Sequence, residues 1–403
     1  MRDNGTETKA TGDVGYAYVE RMPRVAPHEV GMSQEALCFI DSAAMQSIAN
    51  GETPGVVIGV VRDGKLAYAK AFGMREYGDE AQPMTLDTRF DIASLTKPVA
   101  TATAIMQLVE RGKVGLGDRV EKYIPGFQPW RSKEKGGEVK HITIQDLLAH
   151  SSGIEAYVSQ ERVLMAYPDA ECVDAALLIR YIAEQERSCE PRTKSLYSCL
   201  NYIVLGEIVE RVSGVTLAEY AQANIFAPLG MSETCFNPNE TYAKMCAPTT
   251  YDEQWGLMRG VVHDPLSREV MEGVSGNAGL FTTLEDISIY AAMLLDGGCW
   301  NGERVLSERS VATMFARPRG LDDWDKAMCW SCVNGYSGLF GDLLTDAAVG
   351  HSGATGTSLV VDPELDVAII ILTNRVHSSS SSSASIRTLR SRVATAVAAA
   401  IED

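Results

Sequence analysis

PGVVIGVVRDGKLAYAKAFG, residues 54–73, places two β-rich runs around Asp63-Gly64, a dipeptide suited to a tight type I′ hairpin turn. A second hairpin pattern lies close to the other end. TSLVVDPELDVAIIILTN, residues 357–374, turns around Asp362-Pro363-Glu364. Strands near both ends with helical patterning between them predict an α+β fold. Its antiparallel sheet, of about five strands, is built from both chain termini and flanked by helices, with an inserted all-helical subdomain. On this division residues 1–27 are an N-terminal extension, free to be flexible. Residues 28–93 and 291–403 form the α/β subdomain and 94–290 the mainly helical one. A functional site is expected in the cleft between them.

Helical signals fill the interval. Residues 28–50 carry Leu37, Ile40, Ala44 and Ile48 on one face. ATATAIMQLVERG ends at Gly112, a suitable C′ stop, and Thr143 with Asp146 opens a short helix in capping-box style. Amphipathic stretches follow over Val173–Ala183, Asn201–Val212 and Leu217–Phe226, and Thr282 with Glu285 is expected to cap a helix leading into ISIYAAMLL. The chain closes in an Ala-rich helix after the serine run Ser378–Ser383, which reads as a short loop.

A formal net charge of −17 over 403 residues argues against nucleic acid and anionic membrane surfaces as partners. The first residues show no apolar signal-peptide core, and the run Val367–Leu372 is too short to span a bilayer. Nine scattered cysteines suit free thiols, so a cytoplasmic protein is expected.

FDIASLTKPVA, residues 90–100, reads either as an ordinary helix start with a solvated lysine or as a nucleophile with its base. Ser94 and Lys97, three apart, share a helix face, so Oγ and Nζ can approach each other. Pro98 is tolerated only in roughly the first helical turn, which puts Ser94 at the positive end of the helix dipole. Spacing alone does not decide, because Ser132 and Lys135 repeat it inside the charged segment RSKEKGGE. Ser94 differs in its context: strand-like residues before it and an apolar helix after it.

No G-x-S-x-G elbow, H-E-x-x-H or zinc-spaced quartet is present. Cys329 and Cys332 form one C-x-x-C in a strand-and-turn setting and read as ordinary thiols. His28, His141, His150, His263 and His377 read as local hydrogen-bonding groups, His150 as one that satisfies loop carbonyls. Two further segments stand out. PRTKSLYSCLNYIVLGEIVERVSG sets Tyr197 just before a helix. VGHSGATGTSLVV sets His351-Ser352-Gly353 on a strand, where Gly353 would admit a substrate close to the backbone and the Ala354 amide could face an oxyanion.

In this order the pieces resemble the serine β-lactamase and penicillin-binding-protein-like superfamily, above all the class C β-lactamase-related branch with its esterases and D-aminopeptidases. The resemblance runs from about Val30 to the last helix and includes ASLTK, LLAHSSGI, YSC, GNAGLFTTLED, HSG and the closing hairpin. It implies that Ser94 is the acylated nucleophile and that Lys97, partly desolvated, takes its proton. Tyr197 would relay the proton to the leaving group and later activate water. The amides of Ser94 and Ala354 would form the oxyanion hole, and the acylation base is left with the Lys97/Tyr197 pair.

Two departures bear on substrate. Cys199 replaces the family's Asn and is a weak donor, with Asn201 no obvious substitute, and His351 replaces a Lys that would hold a carboxylate. Cys199, His351, Ser352 and Gly353 are the expected substrate-binding residues. The resemblance thus implies a serine hydrolase for carboxylic esters or small D-amino-acid amides. A β-lactamase or penicillin-binding DD-peptidase, an acyltransferase, and a non-catalytic binding protein on the same scaffold stay open. The partner is a small ester, amide or β-lactam-like molecule, and neither a metal nor an organic cofactor is implied.

Overall fold

The computed structural model describes residues 22–134, 136–322, 324–333, 338–377 and 383–402. Lys135, residues 1–21 and residues 378–382 of the serine run lie outside the described residues.

The first hairpin forms β1 (Gly55–Arg62) and β2 (Lys65–Gly73). Asp63 and Gly64 have φ of 50° and 62°, the pair of positive values that a type I′ turn demands. Late in the chain come β3 (Ser331–Cys332), β4 (Val349–Ser352), β5 (Ser358–Asp362) and β6 (Val367–Thr373). They assemble as one sheet in the order β3-β4-β5-β6-β1-β2, with every pairing antiparallel. The sheet therefore has six strands, one more than expected, because the two-residue β3 adds an edge too short to leave a period-two pattern. β1 joins β6 over Val56↔Thr373 to Arg62↔Val367, the register that ties the two ends of the chain together.

Both faces of the sheet are covered, which explains why β6 reads as a continuous apolar run. Val56, Ile58, Val60, Ile369 and Ile371 point to a core shared with α1 (Gln34–Ala49) and the terminal helix (Ser383–Ala399). Val57, Val61, Ala368, Ile370 and Leu372 point to the larger core that holds most of the remaining helices. Among these are α2 (Thr103–Glu110), α3 (Cys199–Ser213) and α4 (Leu284–Leu295), with the terminal helix Ser383–Ala399 numbered α5. The cap of α4 is Thr283, which accepts from the Asp286 amide, and not Thr282 as expected. Thr282 ends the short strand Leu280–Thr282, and its hydroxyl pairs with that of Thr234 at 2.7 Å. Two adjacent threonines fit the capping pattern equally well, and the strand pairing selects the second. Among the described residues no helix is long and apolar enough to cross a membrane.

The loop before that strand, residues 275–279, crosses α3 at close range. A Cβ on Gly276 would sit 1.9 Å from the Tyr202 carbonyl oxygen, and one on Gly206 would meet Gly276 at 3.1 Å. The two glycines set how closely the loop approaches the helix. Gly276→Ala must push backbone against backbone, so it should cost about 1–3 kcal/mol, the usual range for overpacking. Urea denaturation checks this; an unchanged midpoint would contradict the packing described.

Candidate active site

Ser94 is aimed by the turn before it. Phe90–Asp91 pairs with Leu280–Thr282, and the buried Asp91 carboxylate accepts from the amides of Ala93 and His263, each at 2.8 Å. Burial pushes this carboxyl up to about 6. The Asp91–Ala93 bond holds Ala93 at φ 46°, a left-handed conformation costing an alanine roughly 1–2 kcal/mol. The chain then runs through a 3₁₀ turn, Ala93–Leu95, and a π turn, Lys97–Ala102, before regular α2 begins. The expected helix start at Ser94 is therefore a composite. Widening at Pro98 leaves its carbonyl to the hydroxyls of Thr103 and Tyr290, at 2.9 and 3.0 Å.

Lys97 is wholly buried. Its Nζ donates to Ser94 Oγ at 3.0 Å and to the Asn277 carbonyl at 2.9 Å, and it lies 3.6 Å from Cys199 Sγ. It also stands 5.1 Å from the ring centre of Tyr197 and 5.8 Å from that of Tyr202. Burial disfavours the Lys97 charge, but Cys199, Tyr197 and Asp264 act the other way, and the net direction of its pKa is up. Desolvation, expected from the sequence to ease the loss of the lysine proton, is thus outweighed by these neighbours. Burial likewise raises the Tyr197 phenol, against the pull of Lys97. The resting pair is an ammonium beside a neutral phenol.

Tyr197 is held by its neighbours in sequence. The Leu196 amide donates to the His150 carbonyl at 3.0 Å, and the Ser198 amide donates to His150 Nδ1 at 3.1 Å. The imidazole lies 4.5 Å from the Tyr197 ring, centre to centre. His150 thus grips the chain on both sides of Tyr197, from a left-handed conformation with φ 55°. Its ring accepts a backbone N–H, whereas the sequence suggested that it would satisfy carbonyls. Burial, followed by the charges of Lys97 and Lys326, keeps it neutral, with its pKa well below the usual range. Ser198 caps α3, whose first residue is Cys199. Asn201 turns away from Lys97 to accept from the Ser152 hydroxyl at 2.8 Å.

β4 supplies the opposite wall. His351 is buried, its ring centre 6.1 Å from that of Tyr197, and its Nδ1 meets the Ser352 carbonyl at 3.0 Å. Burial and the charges of Lys97 and Lys326 drive its pKa well down, so it carries no charge at neutral pH. Gly353 also serves the packing of the chain itself. A Cβ there would lie 2.3 Å from Thr357 Oγ1 and 2.5 Å from the Ile92 carbonyl, so its missing side chain admits the chain's own backbone, two residues before Ser94. Ala354 follows, exposed, and its N–H has no acceptor among the described residues.

The structure brings Ser94, Lys97, Tyr197 and Cys199 together, with His351 facing Tyr197. Two contributors were not visible as such in the sequence. The Asn277 group that holds Lys97 is a backbone carbonyl, which leaves no side-chain signature. The His150 clamp joins residues 46 and 48 positions apart, and only the fold brings them together. The motifs around them, LLAHSSGI and GNAGLFTTLED, were the available signal.

Comparison with known proteins shows the family of the chain. The beta-lactamase family model matches residues 40–392. A Salmonella gallinarum protein named "Putative D-alanyl-D-alanine carboxypeptidase" is 31% identical over 379 residues, 88% of this chain and 86% of the relative. EstCE1, described as a hydrolase with promiscuous acyltransferase activity, superposes with a TM-score of 0.71 at 21% identity, over 90% of this chain and 99% of that one. The octameric penicillin-binding protein homologue from Pyrococcus abyssi has a TM-score of 0.64 at 25% identity, over 84% and 73% of the two chains. The chain belongs to the beta-lactamase family of serine hydrolases.

Proposed function

We propose that this hydrolase forms an acyl-enzyme on Ser94 and acts on carboxylic esters or small amides. The observation that carries the proposal is the buried Lys97 Nζ, 3.0 Å from Ser94 Oγ. Once the Lys97/Tyr197 pair has given up one proton, Ser94 Oγ attacks the substrate carbonyl, its own proton passes to that pair, and the oxyanion rests on the amides of Ser94 and Ala354. Tyr197 then delivers a proton to the leaving group. Water, deprotonated by the same pair, attacks the ester on Ser94 and restores the hydroxyl. Neutral His351 and the weak donor Cys199 leave few fixed contacts for an amide backbone, which supports esters and small amides. The carboxypeptidase name of the Salmonella relative supports a second reading, cleavage of a D-alanyl amide.

A fluorophosphonate probe should label the wild type and spare Ser94→Ala; equal labelling of both would contradict the assignment. Because Lys97 and Tyr197 both hold their protons to higher pH, the pair becomes a base only as pH rises. The kcat/KM for a neutral ester should therefore climb from about pH 7 to about pH 9, and a flat stopped-flow profile would exclude the pair. His150→Leu removes the acceptor for Ser198 and should lower kcat by about tenfold with KM little changed, since small misplacements are costly. His150→Asn, which keeps an acceptor and tolerates positive φ, should recover most of that loss. Equal loss in both variants would count against the clamp.

A further inference from the structure

We propose that Asp264 is a positioning residue for acyl transfer: it is the counter-charge of the buried Lys97 ammonium, and it braces the loop whose Asn277 carbonyl holds that ammonium. This rests on the acyl-enzyme reading above and concerns how its base is set. Among the described residues Lys97 forms no ion pair with a carboxylate, although it is wholly buried. Asp264 is the carboxylate whose charge acts on it.

The carboxylate reaches Lys97 through one buried relay. Asp264 Oδ1 accepts from the Ser267 amide and faces the Ser267 hydroxyl, each at 2.9 Å, and it lies 3.4 Å from Asn277 Nδ2. The same hydroxyl stands 3.1 Å from Asn277 Oδ1, which also accepts from the Ser275 hydroxyl at 2.6 Å. Ser267, Ser275 and Asn277 are all buried. These contacts fix the Asn277 side chain at both of its polar atoms, and its backbone carbonyl then meets Lys97 Nζ at 2.9 Å. From the other side the Leu266 amide donates to Tyr157 Oη at 3.1 Å, which leaves the phenol proton for Asp264. Burial, then Asp264, push the pKa of this phenol up, so the proton stays.

An aspartate at the start of the turn Leu266–Val270 could simply cap it. A cap needs only an acceptor, which asparagine supplies equally well. What asparagine lacks is the charge, and a negative charge on this network favours the ammonium over the free amine at Lys97. Asp264 therefore keeps the Lys97/Tyr197 pair protonated at neutral pH and moves its action as a base to higher pH. The other titratable or charged groups around Lys97 are Tyr197, Tyr202, Cys199, Cys329, His150 and His351. Those around Asp264 are Asp91, His263, Arg268 and Tyr157. Burial keeps His150, His351 and His263 neutral and pushes Cys329 up to about 12, while Asp91 stands at about 6. The rise between pH 7 and 9 does not come from these.

The pH profile of kcat/KM for a neutral ester separates charge from cap. In Asp264→Asn the midpoint of the rising limb should move acidward by roughly half to one pH unit, the size expected of a charge partly screened by protein and water. Asp264→Ser, a second capping residue without charge, should give the same shift. Glu269→Gln removes a charge from the same turn, where Glu269 pairs with Arg268, and should leave the midpoint in place. Each midpoint is internal to one variant, so partial unfolding or a lower plateau does not move it. The shift should persist in a Cys199→Ser background, which assigns it to the Lys97/Tyr197 pair and not to the thiol. Labelling of wild-type Ser94 by a neutral fluorophosphonate separates the two levels. With normal labelling, an unmoved midpoint in both Asp264 variants, an equal shift in Glu269→Gln, or a shift lost with Cys199→Ser overturns the role of Asp264 alone. Absence of labelling overturns the acyl-enzyme reading and this role with it.

Discussion

A lysine ammonium buried to the last atom is the constraint on which the site depends. Taking that charge out of water costs several kcal/mol unless donors and acceptors replace the lost hydration. Lys97 recovers it from three directions: the Ser94 hydroxyl one turn back, the Asn277 carbonyl on the glycine loop, and the ring faces of Tyr197 and Tyr202. Each direction belongs to a different part of the chain. The loop can offer its carbonyl because Gly276 lets it lie against α3, and Tyr197 stays in reach because His150 holds Leu196 and Ser198. Remove any one, and a buried charge loses a partner.

How much of this was legible follows from the range of each signal. The two hairpins could be read directly, since alternation and turn residues act within a few positions, and their pairing through β1 and β6 follows from both strands being apolar on both faces. Ser94 and Lys97 were legible for the same reason, being one turn apart. Beyond that range the reading lost detail. Pro98 marked a helix start but could not show that the helix opens through 3₁₀ and π turns. Gly353 was recognised as a close approach, but the sequence could not show that the Ile92 carbonyl is what its missing side chain makes room for. The direction of the Lys97 pKa depends on Cys199, Tyr197 and Asp264, all distant in sequence, so burial alone could not give it.

The two departures from the family motifs now carry physical meaning. Cys199 keeps company with Lys97 but offers it only sulfur, so the lysine leans on Asn277 and the two tyrosines instead. His351 is buried and stays neutral, its charge disfavoured by burial and by Lys97 and Lys326. On the proposed reading, acyl transfer chemistry is retained and the recognition of substrate is what has changed.

The central claim is that the acyl group passes through Ser94 Oγ. The most direct test is rapid acid quench during turnover of a slowly deacylating ester, followed by peptide mapping in a mass spectrometer. The account predicts an added acyl mass on the peptide holding Ser94, present during steady state and gone once substrate is spent. An acyl mass on the Cys199 peptide instead, or full turnover with no covalent adduct, would contradict it.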